Sequence, residues 1–157
     1  MRYIVIAALF LIISSCTATP EQAVQLTSAH CVANNGLPDP HCTTGVALPD
    51  VTAAQVCAPG YAQSVRNVPQ AVKDKVYAEY GVTSHLPGEY EVDHLVSLQL
   101  GGSNDIANLW PEAATPKPGF HEKDQVENYL HDQVCSGKIA LKDAQTEIAK
   151  NWKAITA

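Results

Sequence analysis

The chain has 157 residues, 46% of them apolar, with 10 basic and 16 acidic side chains and a formal net charge of −6. That is one domain's worth of chain, and it is apolar enough to close a real core. No basic run appears anywhere, which counts against tight, general binding to nucleic acid through phosphate contacts.

The N-terminus reads as a leader. Arg2 is a short positive n-region, and residues 3–13 form an apolar run too short to span a bilayer as a mature helix. Ile13, Ser14 and Ser15 then precede Cys16. An apolar residue three before a cysteine, with small residues between, resembles a bacterial lipobox, in which Cys16 would be diacylated and become the first residue after cleavage. The plainer alternative is a secretory signal cut between residues 15 and 19, giving a periplasmic or secreted protein. On the preferred reading residues 1–16 are a lipoprotein signal and residues 17–36 a polar tether with a helical patch over residues 21–29. Residues 37–157 are then the domain, an exported lipoprotein held to the envelope membrane by one acylated cysteine.

Setting Cys16 aside leaves Cys31, Cys42, Cys57 and Cys135, an even number with no Cys-x-x-Cys. Two disulfides in an oxidising compartment fit this better than a zinc knuckle. Four cysteines allow three pairings. The preferred one joins Cys57 to Cys135, pinning the N-terminal segment to the end of a later helix, and leaves Cys31–Cys42 as a small loop. His30 and His41, beside Cys31 and Cys42, read as loop histidines rather than metal ligands.

Pro38, Pro40, Pro49 and Asp50 are turn-forming, and a short helical turn fits within residues 48–57. Pro59-Gly60 is a further turn, after which residues 61–66 read as a short extended segment. Arg66 is the one basic residue ahead of the next strand that could face a phosphate; a solvated surface arginine explains it equally well. Val68-Pro69 opens a helix whose apolar stripe is Val72, Val76, Tyr77 and Tyr80, and Gly81 stops it.

Tyr90 and Val92 suit a half-buried strand, with Asp93 and His94 where that strand should end. Gly101 to Asp105 is turn chemistry. Asn108, Leu109 and Trp110 read as a short return segment ended by Pro111, with Trp110 wedged under the hairpin. A helical pattern starts near His121, with Phe120, Val126, Tyr129, Leu130 and Val134 as its stripe and Gly137 as its stop. Leu141, Ala144, Ile148 and Trp152 form a second amphipathic helix, expected to pack over the first.

A strand bearing Asp93-His94, a loop with Gly101-Gly102, a return with Asn108-Leu109-Trp110-Pro111 and a helix with His121 before Lys123-Asp124 resemble the HNH (ββα-metal, or His-Me finger) endonuclease motif of short exported bacterial proteins. The resemblance runs from about Leu37 to Trp152. It implies an α+β fold: a small hairpin plus helix as a ββα-metal core, with flanking helices, stapled by disulfides. It also implies a metal-dependent endonuclease that hydrolyses phosphodiester bonds in DNA at the cell envelope.

In that resemblance His94 is the general base, since a histidine titrating near neutrality can take a proton from water. Asp93, on the opposite face of the strand by alternation, is a metal ligand. Asn108 steadies the base or its loop. His121 is the second metal ligand, and Asp124, one helical turn on, is a further ligand or an orienting partner, a role Glu127 shares. One divalent ion is implied, Mg²⁺ most plausibly, with Mn²⁺, Ni²⁺ or Zn²⁺ open. DNA is the substrate, and no protein partner is implied. Two positions depart from the wider motif: Ser97 stands where many relatives have proline, and the paired cysteines of a structural zinc are missing. The competing reading is a non-catalytic envelope lipoprotein that keeps the ββα scaffold as a binding or structural module, which the acidic charge favours. A hydrolase of another phosphoester is the third.

Overall fold

The computed structural model describes residues 30–156. The leader, Cys16 and the helical patch over residues 21–29 lie outside the described residues. The fold is α+β, a two-stranded antiparallel hairpin set among helices. In chain order the elements are α1 (Ala53–Val56), α2 (Tyr61–Val65), α3 (Gln70–Glu79), β1 (Tyr90–His94), β2 (Leu109–Ala113), α4 (Phe120–Cys135) and α5 (Leu141–Asn151), with short 3-10 turns between and after. Among the described residues, no helix is long and apolar enough to cross a membrane.

The hairpin pairs Tyr90 with Ala113 at its open end and His94 with Leu109 at the loop. Pro111 does not end the return segment as the turn signal suggested; it lies inside β2, opposite Val92. A proline N–H is missed only on the ladder side, and a two-stranded sheet leaves each strand an outward edge. Residues 61–66 also differ from expectation. Gly60, at φ +79°, swings the chain into α2, and Ser64 Oγ closes the turn by donating to the Tyr61 carbonyl at 2.7 Å. The result is a five-residue helix and not an extended segment.

Apolar periodicity gives the remaining elements. α3 buries Val76 and ends before Gly81, at φ +69°. α4 and α5 pack together, and Trp110, Leu100, Leu130, Ala144 and Ile148 are sealed between them and the hairpin loop. Both disulfides form as preferred from the sequence, Cys31–Cys42 and Cys57–Cys135. The first is built into the body: Cys31 is buried and its N–H donates to the Glu79 carbonyl at 2.9 Å. The segment assigned to a tether therefore joins the folded domain by Cys31. Two disulfides suggest an oxidising, extracellular-type environment.

The loop after β1 positions the site. Its two ends meet at Gly102, where an added Cβ would fall 1.7 Å from the Val96 carbonyl oxygen, so only glycine fits. Asn108 braces the same loop. It is fully buried, accepts from the Val96 N–H at 2.8 Å, and donates to the Val96 and Ser103 carbonyls at 3.0 and 2.9 Å.

Candidate functional site at the end of strand β1

Asp93 and His94 leave β1 on opposite faces, and the two faces are built differently. On the Asp93 face, α4 delivers Lys123 and, one turn later, Glu127. The Lys123 ammonium is fully buried and donates to Asp93 Oδ2 at 2.5 Å, to the His94 carbonyl at 2.8 Å and to Glu127 Oε1. Those three acceptors match the three donors of a charged lysine. Burial alone would discharge it, but the surrounding carboxyls outweigh that and raise its pKa. Glu127 turns its other oxygen to the Ser97 hydroxyl, which donates at 2.7 Å.

Glu112, one strand over, is 1% exposed. As a carboxylate it would have no donor for either oxygen. Burial, with Asp93 and Glu127 adding to it, pushes its pKa up to about 10 against the pull of Lys123. It is therefore an acid at neutral pH, with a proton to offer the neighbouring Asp93. Burial would raise Asp93 too, but the Lys123 charge and the Glu112 side chain hold it below the usual carboxylate range. Glu91, two residues back on the same face, is pushed up to about 7 by burial and then by Asp93 and Asp124.

The His94 face is neutral. The imidazole is 2% exposed, with Nε2 3.1 Å from Asn104 Oδ1. The same oxygen accepts from the Asn67 N–H at 3.1 Å, and Asn104 Nδ2 donates to the Val65 carbonyl at 2.8 Å. Burial lowers the His94 pKa, more than the Asn104 bond and Asp93 raise it, and Arg66 lowers it further. At neutral pH the ring is uncharged. Arg66 leaves the end of α2 exposed to solvent and acts on both His94 and Asp124.

The remaining sequence-derived residues sit around this centre. His121 is exposed at the start of α4, its ring 4.2 Å from that of Phe120, and its charge is felt by Asp124. Asp124 is raised by burial and then by Asp93. Asn108 stays off the imidazole, because all three of its amide bonds go to the loop backbone. Lys123, Glu112, Glu91 and Asn104 were not assigned to the site from sequence. Lys123 could have been: it stands three before Val126 and seven before Leu130, in phase with the buried stripe. Asn104 left no such signal, being one polar residue among several in a turn.

No family model, no curated protein and no solved structure matches the chain.

Carboxylate oxygens are the donors a hard divalent cation takes, but among the described residues Asp93, His121 and Asp124 do not form a group of three ligand atoms within 4.8 Å of one another. Asp93 keeps 16% of its side chain exposed beside Lys123, and Glu91 and Asp124 are both raised, by burial first and by the neighbouring Asp93 second. Mg²⁺ asks for one or two carboxylates and keeps water on its other positions, so it needs no dense cluster. Among the described residues the one group of three metal-ligating atoms within 4.8 Å is Cys57, His131 and Cys135. Its sulfurs are joined to each other as a disulfide, and His131 Nε2 lies 3.1 Å from the Val56 carbonyl. In the oxidised protein that group offers no thiolate.

Proposed function

We propose that this protein is an exported HNH-type phosphodiester hydrolase acting on DNA, with the hairpin and α4 as its ββα-metal core. The observation that supports this best is the state of His94: neutral, oriented through Asn104, and one residue from an ionised Asp93 that faces the other way. A neutral imidazole accepts a proton; a charged one does not. In this reading His94 takes the proton of the attacking water. Arg66, exposed beside it, pairs with the phosphate. Asp93 and His121, with Asp124 beside them, would hold one divalent ion, which supplies Lewis acidity and neutralises the leaving oxygen. Lys123 keeps Asp93 ionised and fixed in place. Acylation of Cys16 would tether the domain to the envelope membrane.

A second reading has its own support. The Lys123 ammonium already occupies Asp93, and His94 is nearly sealed. Both suit a scaffold whose polar centre is structural, kept as a binding module.

Plasmid cleavage separates the two. The oxidised chain is incubated with supercoiled DNA and Mg²⁺ or Mn²⁺, with EDTA as control and His94→Ala alongside. We expect metal-dependent nicking that falls about 10²- to 10⁴-fold in the variant, the usual contribution of a general base. Folded, oxidised protein that cuts with neither ion would exclude the hydrolase and favour the binding module.

A further inference from the structure

We propose that Asn104 is the positioning residue of His94: it fixes the imidazole as the Nε2–H tautomer and leaves Nδ1 as the proton-accepting nitrogen. The catalytic consequence rests on the hydrolase reading; the tautomer does not.

The argument turns on which way the Asn104 amide faces. An asparagine can be flipped without changing its shape, so its own outline does not settle the matter. Its neighbours do. The Asn67 N–H, 3.1 Å away, can only donate, so it must meet the oxygen. The Val65 carbonyl, 2.8 Å away, can only accept, so it must meet the NH₂. Flipping the amide would set donor against donor and acceptor against acceptor. With the oxygen thus fixed, the His94 Nε2 at 3.1 Å must carry the hydrogen. Nδ1 then keeps its lone pair, and it makes no hydrogen bond among the described residues.

The clamp is itself held. Ser103, the preceding residue, donates its N–H to the Val46 carbonyl at 2.9 Å, and its own carbonyl accepts from Asn108 at 2.9 Å. One carboxamide therefore ties the end of β1, the hairpin loop and the link between α2 and α3. The same link carries Arg66, so the residue that orients the base also places the cation beside it.

The test is a long-range ¹H–¹⁵N correlation spectrum of the ¹⁵N-labelled, oxidised full chain at a pH where the ring is neutral, with plasmid cleavage measured on the same samples. We expect His94 as a single Nε2–H tautomer in the wild type. Asn104→Ala should give a mixture of tautomers and lower cleavage about 10- to 100-fold, as loss of an orienting partner does. Asn104→Asp keeps the acceptor and should keep the Nε2–H form. A wild-type ring with hydrogen on Nδ1 overturns the proposal even if the protein cleaves DNA, and so does a folded Asn104→Ala protein whose ring stays wholly Nε2–H. A wild-type Nε2–H ring that becomes mixed in Asn104→Ala, in a protein that cuts nothing, upholds the positioning role and removes the hydrolase.

Discussion

Asp93 and His94 are neighbours in sequence, yet they lie in opposite electrostatic worlds. On the Asp93 face a buried ammonium is ringed by Asp93, Glu127 and Glu112. On the His94 face an uncharged ring meets an uncharged amide. The same physical term acts on both, since burial disfavours whichever form is charged. It is the main reason the imidazole is neutral, with Arg66 and Lys123 adding to it. It would make Asp93 neutral too, but Lys123, the Glu112 side chain and the His94 backbone N–H prevent that. Strand alternation thus lets two adjacent residues keep opposite charge states, provided one face carries its own cation.

Removing that cation is the harshest way to break the contrast. Lys123→Met preserves the length of the side chain but leaves Asp93 and Glu127 buried without their cation. Stripping one member from a buried charge network costs about 3–5 kcal/mol. Urea unfolding at pH 7 should show a loss of that size. A loss below about 1 kcal/mol would mean that water or a bound cation reaches those carboxylates.

The next test loosens only the His94 face. Val65, the last residue of α2, and Asn67 just beyond it hold Asn104, and that segment is stapled to the end of α4 by Cys57–Cys135, 78 residues apart in sequence. Replacing both cysteines by serine should cost about 2–4 kcal/mol. Hydrogen exchange should show where. The Asn67 amide should lose protection, while the Leu95 amide, which donates to the Asn108 carbonyl at 2.8 Å within the hairpin, should keep it. Equal loss at both would mean that the two faces open as one unit.

The contrast was only half legible in the sequence. Alternation places Asp93 and His94 on opposite faces, and apolar periodicity draws α3, α4 and α5 to within a few residues. Trp110 is core as expected, at 1% exposure. What periodicity cannot reach is short or polar. α2 has five residues, less than two turns, and its cause is the turn at Gly60 rather than an apolar stripe. Pro111 reads as a stop because sequence does not say which edge of a strand is free. Lys123 reads as a flank of His121 and Asp124, because a lysine in phase with a buried stripe is costly unless carboxylates from other elements are waiting. Those carboxylates come from β1 and β2, which sequence separates from α4 by a loop. Asn104 depends on Val65 and Asn67, 39 and 37 residues earlier, and no local pattern reports such a bond.

The gentlest test changes one proton on the Asp93 face. Glu112 has a pKa of about 10 in the fold against an ordinary value of 4.5. Below pH 4.5 the group is protonated whether the chain is folded or not, and contributes nothing to the pH dependence. Between those values the folded chain holds a proton that the unfolded chain has released, so stability falls as pH rises, by at most about 1.4 kcal/mol per unit. Glu112→Gln keeps a donor for Asp93 and cannot ionise, so its stability should decline less steeply with pH. Glu91, raised to about 7, and Glu127, also raised by burial, still titrate in the variant and account for the slope that remains on this face. His94 tilts the other way. Its lowered pKa gives stability that is complete above its ordinary value of 6.5 and lost as pH falls below it. Urea midpoints from pH 5 to 9 for both proteins read the difference directly. Parallel curves above pH 7 would mean that Glu112 is ionised in the folded protein and that Asp93 keeps its charge without a proton from Glu112.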